Sequence, residues 1–176
     1  MRSACTFFVF IPCLYMSSAS AIGGDNAKPA QLNQLRLYIP GPELPNRVKD
    51  INELANYIKA VEKAASACVG EAEKPKATGL LIAVGIKSGK KARIWCQAVD
   101  GEVSKELLRK LEKELAKVET IEPKKSPIAF GMEMKLFGKT PKKFPEFPDV
   151  WLDAAKTIDS KLLIPPDDLF RAIWPD

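Results

Sequence analysis

The stretch that decides the fold is GLLIAVGIKSGKKARIWCQAV, residues 79–99. Leu80, Ile82, Val84 and Ile86 alternate with Leu81, Ala83, Gly85 and Lys87, which is the two-residue period of a strand. Ser88-Gly89-Lys90 supplies a turn between antiparallel strands. On the return strand Ala92, Ile94, Cys96 and Ala98 share one side, with Arg93, Trp95, Gln97 and Val99 opposite. The spacing therefore predicts a hairpin with one greasy face and one face of small residues around a single tryptophan.

Working outward, Asp100-Gly101 ends the hairpin and Ser104 is a good N-cap for a helix over 104–119. Leu107, Leu108, Leu111, Leu115 and Val118 form its apolar stripe. Beyond Pro123 and Pro127 a third strand runs from Ile128 to Phe137, burying Ile128, Phe130, Met132, Met134 and Leu136. On the N-terminal side, Val48, Ile51, Leu54, Ala55, Ile58, Val61, Ala65 and Cys68 recur at helical steps from about Pro45 to Val69, and Gly70 is a natural stop. Residues 71–78 form a charged linker with Pro75. The element order α-β-β-α-β predicts an α+β fold, a small antiparallel three-stranded sheet with both helices packed on one face. Gln34 to Ile39 (QLRLYI) alternates as a further short strand outside that unit, ended by Pro40-Gly41-Pro42.

The two ends of the chain read differently. Arg2, the apolar run Thr6–Tyr15 and the small residues Ser17–Ala21 have the layout of a cleavable signal peptide over 1–21. This implies a periplasmic or secreted protein; the alternative reading is an uncleaved N-terminal anchor. Residues 22–33 read as a flexible leader and 34–137 as a single α+β domain. Residues 138–176 read as an aromatic and proline-rich tail. The tail holds the extended segment Phe144-Pro145-Glu146-Phe147-Pro148 and short helices at Asp149–Ile158 and Pro166–Trp174.

The 176-residue chain carries a net charge of +5 with lysines and acids interspersed, and it contains no histidine. A mild, scattered excess of cations is not the dense patch of a nucleic-acid binder. The missing histidine removes Ser-His-Asp and Cys-His catalysis and histidine-based zinc sites. Asp149 with Asp153, and Asp167 with Asp168, are close carboxylate pairs, and each sits at a helix start where the dipole favours acid. No cofactor or metal site is expected. Outside the signal the cysteines are Cys68 and Cys96, and the two periodicities place both in the layer between helix and sheet. In an oxidising compartment that predicts a disulfide, the competing reading being two small buried hydrophobes that never meet.

The block at residues 79–137 resembles the C-terminal domains of the periplasmic TonB and TolA proteins. The resemblance rests on LLIAVGIK, the turn at Ser88-Gly89, ARIWCQAV, the leucine-rich helix 104–119 and the strand IAFGMEMKLF. It implies a noncatalytic module that docks a protein or peptide of the cell envelope along an edge strand. The expected docking edge lies beside Ile128–Phe137, with Glu133, Lys135 and Phe137 along it.

On the sheet face away from the helices, Arg93 and Trp95 stand among Ala83, Gly85, Ala129 and Gly131. That concavity is either a groove for an anionic or amphipathic ligand or the seat of the tail's Phe144, Phe147 and Trp151. Lys105, Arg109, Lys113 and Lys117 form a basic stripe that suits peripheral contact with an anionic membrane surface or a solvated helix face. An enzyme working through carboxylates or lysines is a third reading. The oligomeric state is not legible.

Overall fold

Strict alternation over residues 79–99 produces β2 (Gly79–Lys87) and β3 (Lys91–Val99), paired antiparallel from Gly79↔Val99 to Lys87↔Lys91. The turn between them needs left-handed backbone, supplied at Gly89 (φ 80°) and Lys90 (φ 54°). The computed structural model describes residues 27–125, 127–158 and 166–175; the segment read as a signal peptide lies outside them.

The sheet has four strands, not three, in the order β1-β4-β2-β3, with β1 at Ala30–Leu37 and β4 at Ile128–Leu136. Every neighbouring pair is antiparallel. Residues 30–33, expected to be leader, belong to β1. A bulge between Leu32 and Gln34 hides them. It shifts the helix-facing set from Ala30 and Leu32 to the odd-numbered Leu35 and Leu37, so no single period runs through the strand. β4 consequently lies between β1 and β2, and both of its borders are paired.

One face of the sheet carries the main core. Leu80, Ile82, Val84, Ile86, Ile94, Phe130, Met132 and Met134 meet helices α2 (Ile51–Gly70) and α3 (Lys105–Leu115). From the helices come Leu54, Ile58, Val61 and Ala65 on one side and Leu107, Leu111 and Leu115 on the other. The predicted first helix is broken: a short α1 (Leu44–Arg47) precedes extended backbone at Val48. Asp50 then caps α2, its carboxylate accepting from the Asn52 N–H at 2.8 Å. A good N-cap restarts the helix, which apolar spacing alone does not reveal. Ser104 caps α3 as expected, accepting from the Leu107 N–H at 3.1 Å.

The tail returns across the opposite face as α4 (Asp149–Thr157) and α5 (Pro166–Ile173). Trp151, Phe170 and Ile173 pack on Ala83, Trp95 and Ala129, and Phe144 packs on Leu81 and Val99. Small residues on the sheet make room for the large ones. A Cβ on Gly85 would collide with the Phe170 ring, and one on Gly131 would lie 2.5 Å from the Tyr38 hydroxyl. The protein is thus a sheet with a core on each face.

The expected bridge between Cys68 and Cys96 is absent, and both are free thiols. Sharing a layer is not sufficient, since a bond needs Cα atoms about 4.4–6.8 Å apart with aligned Cβ directions. Burial also raises the pKa of both thiols, most strongly at Cys96, where Glu112 and Cys68 add to the rise.

Candidate functional site

The concavity around Trp95 and Arg93 is filled by the chain itself. Trp95 is 8% exposed, with its ring 5.2 Å from Trp151 and 6.3 Å from Phe170. Arg93 lies 5.3 Å over the Trp95 ring and donates to the Ile173 carbonyl at 3.0 Å. Lys87 donates to the Trp174 carbonyl at 2.6 Å. These two cations meet the end of α5, where a helix leaves carbonyls unpaired and its dipole favours positive charge. At the start of α4, Gln97 and Asp149 exchange hydrogen bonds of 2.9 and 2.8 Å. Of the two readings of this concavity, the tail is the occupant, and Arg93 and Trp95 hold it.

β4 is not the docking edge. Lys135 pairs with both Gln31 and Gly79, and the Phe137 N–H donates to the Pro29 carbonyl at 3.1 Å. Glu133 is buried beneath the tail-side face, its carboxylate 2.5 Å from the Arg36 guanidinium. Tyr38 lies beside this pair, stacked on Phe147 at 5.2 Å, and its hydroxyl has no partner among the described residues. Its pKa is pushed up to about 12 from 10.0 by burial, with Arg36 opposing and Glu133 adding to the rise.

The sign of this shift sets a pH window. A raised folded-state pKa gives stability that is complete below pH 10 and lost as pH climbs toward 12. Tyr38→Phe should therefore flatten part of the alkaline fall in a denaturation series while leaving neutral stability equal or higher. Superimposable alkaline limbs for both proteins would contradict it. Tyr57, whose pKa burial also raises against a smaller opposing effect of Thr120, accounts for a remainder in the variant.

The true borders of the sheet are β1 and β3. Along β3 runs α3, whose Glu112 accepts from the Cys96 N–H at 3.0 Å. Along β1 runs α2, where Glu62 accepts from the Leu32 N–H at 2.9 Å and Ser66 from the Ala30 N–H at 3.4 Å. Side-chain caps of this kind blunt edges against unwanted pairing. None of the three residues stands out in the sequence, because a polar side chain on a helix flank looks merely solvated.

The caps stop at the bulge. Tyr38 donates its N–H inward to the Ala129 carbonyl at 3.0 Å. Antiparallel alternation then turns the N–H groups of Leu35 and Leu37 outward. Leu35 is 38% exposed. Beside the capped half lies a groove of about 470 Å³ between the start of β1 and α2, bordered by Lys28, Lys59, Glu62, Lys63 and Ser66. The border thus combines free main-chain donors with a local excess of positive charge.

Lys105, Arg109 and Lys113 are exposed along α3, which ends at Leu115 and not at 119, so that Lys117 lies just beyond the helix and pairs with Glu114 at 2.7 Å. No cluster of three or more His, Cys, Asp or Glu residues able to hold a metal occurs among the described residues. No helix among them is long and apolar enough to cross a membrane. Compared with family models, curated proteins and solved structures, the chain matches none.

Proposed function

We propose that this chain is a noncatalytic binding module of the cell envelope that captures an extended, acidic peptide segment along the outer border of β1. The observation that carries the reading is the change halfway along that border. Helix side chains occupy the N–H groups of Ala30 and Leu32, whereas those of Leu35 and Leu37 face outward beside an exposed leucine. An added strand would accept from the two outward donors and rest an apolar side chain on Leu35. Lys28, Lys59 and Lys63 would then meet its acidic residues where it continues past the bulge. The resemblance to TonB and TolA C-terminal domains implies edge docking; with β4 paired on both sides, the edge proposed here is β1. The absence of histidine favours binding over catalysis, and the N-terminal segment 1–21 supports the envelope location.

Proline at position 35 tests this directly. Because the Leu35 N–H points away from β4, Leu35→Pro removes a docking donor without breaking the ladder, as proline is tolerated on sheet borders. A panel of synthetic acidic peptides that bind the native protein should bind this variant at least about tenfold more weakly, while its melting curve stays cooperative. A folded variant with undiminished peptide affinity would refute the docking mode. Proline at Glu133 would not serve, because β4 is an inner strand and the substitution would break the sheet.

A further inference from the structure

The outer border of β1 is closed at its start and open at its end, and the α2 surface beside it changes at the same level. Glu62 meets the Leu32 N–H and Ser66 the Ala30 N–H, so α2 runs antiparallel to β1. A helix rises about 1.5 Å per residue and a strand about 3.3 Å. Stepping back along α2 from Glu62 therefore brings Lys59 level with the bulge, Ala55 level with Leu35 and Ile51 level with Leu37. Helical spacing puts Ile51, Ala55 and Glu62 on one flank of α2, the flank that faces the border.

Beside the outward donors of Leu35 and Leu37 the surface is apolar. Ile51 is 56% exposed and Leu35 38%, with the exposed Ala55 between them. Beside the capped half it is basic. Lys28, Lys59 and Lys63 line the groove of about 470 Å³, and none of them has an ion-pair or hydrogen-bond partner among the described residues. Glu62, the one carboxylate among the described residues that line it, is committed to the Leu32 N–H. Every neighbouring pair in the sheet is antiparallel. A guest strand added in the same sense runs from Leu37 toward Ala30. It loses its donors at the bulge, because Glu62 and Ser66 hold the next two outward N–H groups.

We propose that the guest ends at this point, so that the border captures the free C-terminus of its partner. An aliphatic side chain near the end lies among Leu35, Ala55 and Ile51. The terminal carboxylate lies against Lys59, with Lys63 and Lys28 behind it. This inference rests on the border docking proposed above and names the part of a partner that the border takes. A chain that continued would carry unpaired main-chain groups past two occupied donors. A guest added in the parallel sense would bring its N-terminal ammonium to three lysines, which repel it. Both effects select the same end.

The test is fluorescence anisotropy of the full chain with the N-terminally labelled peptide Gly-Ser-Thr-Val-Thr-Val-Glu in three forms. One has a free C-terminus, one a C-terminal amide, and one is extended by Gly-Ser-Gly-Ser. The free form should bind about tenfold more tightly than the other two, the effect of one charge-assisted hydrogen bond. Lys59→Met combined with Lys63→Met should lower the affinity of the free form to that of the amide. Lys124→Met combined with Lys125→Met removes the same charge beyond the far end of β1 and should preserve the difference. If all three forms bind alike and Leu35→Pro weakens each of them, the border docks peptide interiors and the C-terminal inference falls alone. If a folded Leu35→Pro protein binds the free form undiminished, the border reading falls with it. Saturable binding of none of the three forms, or a preference for the free form that survives loss of both lysines, would also overturn the inference.

Discussion

Trp151→Ala should lower the unfolding free energy by about 3–5 kcal/mol, the range for removing a large aromatic side chain from a packed core. Trp151 is 1% exposed and lies at the centre of the tail-side core, with ring centroids 5.2 Å from Trp95, 5.3 Å from Phe170 and 5.0 Å from Tyr38. Its indole N–H has no hydrogen-bond partner among the described residues, so the loss is one of packing alone. The void would be bounded by Ala83 and Ala129, which are too small to collapse into it. Urea denaturation gives the magnitude, and limited proteolysis within residues 138–176 shows whether the tail comes away first. Phe147→Ala is the control. Phe147 is 36% exposed and only stacks on Tyr38, so about 1 kcal/mol is expected. Equal losses for the two variants would mean that the second face of the sheet carries no core.

Half of that core is legible in the amino-acid order. Ala83, Gly85, Ala129 and Gly131 recur on one side of two strands, and such a run of small residues signals that something bulky lies over it. The aromatic tail is the natural cover within the chain. Strict alternation likewise predicts the hairpin facing, and Ser104 marks the start of α3. Pairing at a distance does not show. β1 and β4 meet across about a hundred residues, and nothing in a two-residue period names a strand's neighbour. The bulge at Leu32–Gln34 hides the first half of β1 as well. Without β1 in place, β4 looks like the sheet edge, and its Glu133 reads as a surface acid although it is buried against Arg36. Edge caps are illegible for a related reason. Glu62, Ser66 and Glu112 act by facing a strand border, and helical spacing shows only which flank they occupy.

Arg47→Leu should cost about 2–4 kcal/mol and loosen α5 before the rest of the molecule. Arg47 is 4% exposed. Its guanidinium donates to Glu43 at 3.0 and 2.8 Å, to Asp167 at 2.9 Å and to the Pro127 carbonyl at 2.9 Å. Its own carbonyl accepts from the Lys124 N–H at 2.8 Å. One residue thus ties α1, the lead-in to β4 and the first turn of α5 together. The partners will not respond equally when it is removed. The carboxylates of Glu43 and Asp167 have 45% and 39% of their side chains exposed, so water can take over from the guanidinium at small cost. The Pro127 carbonyl bond is buried and has no such substitute. The expected order of destabilisation is therefore Arg47→Leu, then Arg47→Lys, then Asp167→Asn at about 0.5–1 kcal/mol. Lysine keeps the charge but lacks the planar fork that reaches three acceptors at once. Hydrogen exchange should show amides of residues 167–173 losing protection in Arg47→Leu while those of β2 keep theirs. If Asp167→Asn were as damaging as Arg47→Leu, the ion pair would account for the whole effect, and the buried carbonyl would contribute nothing.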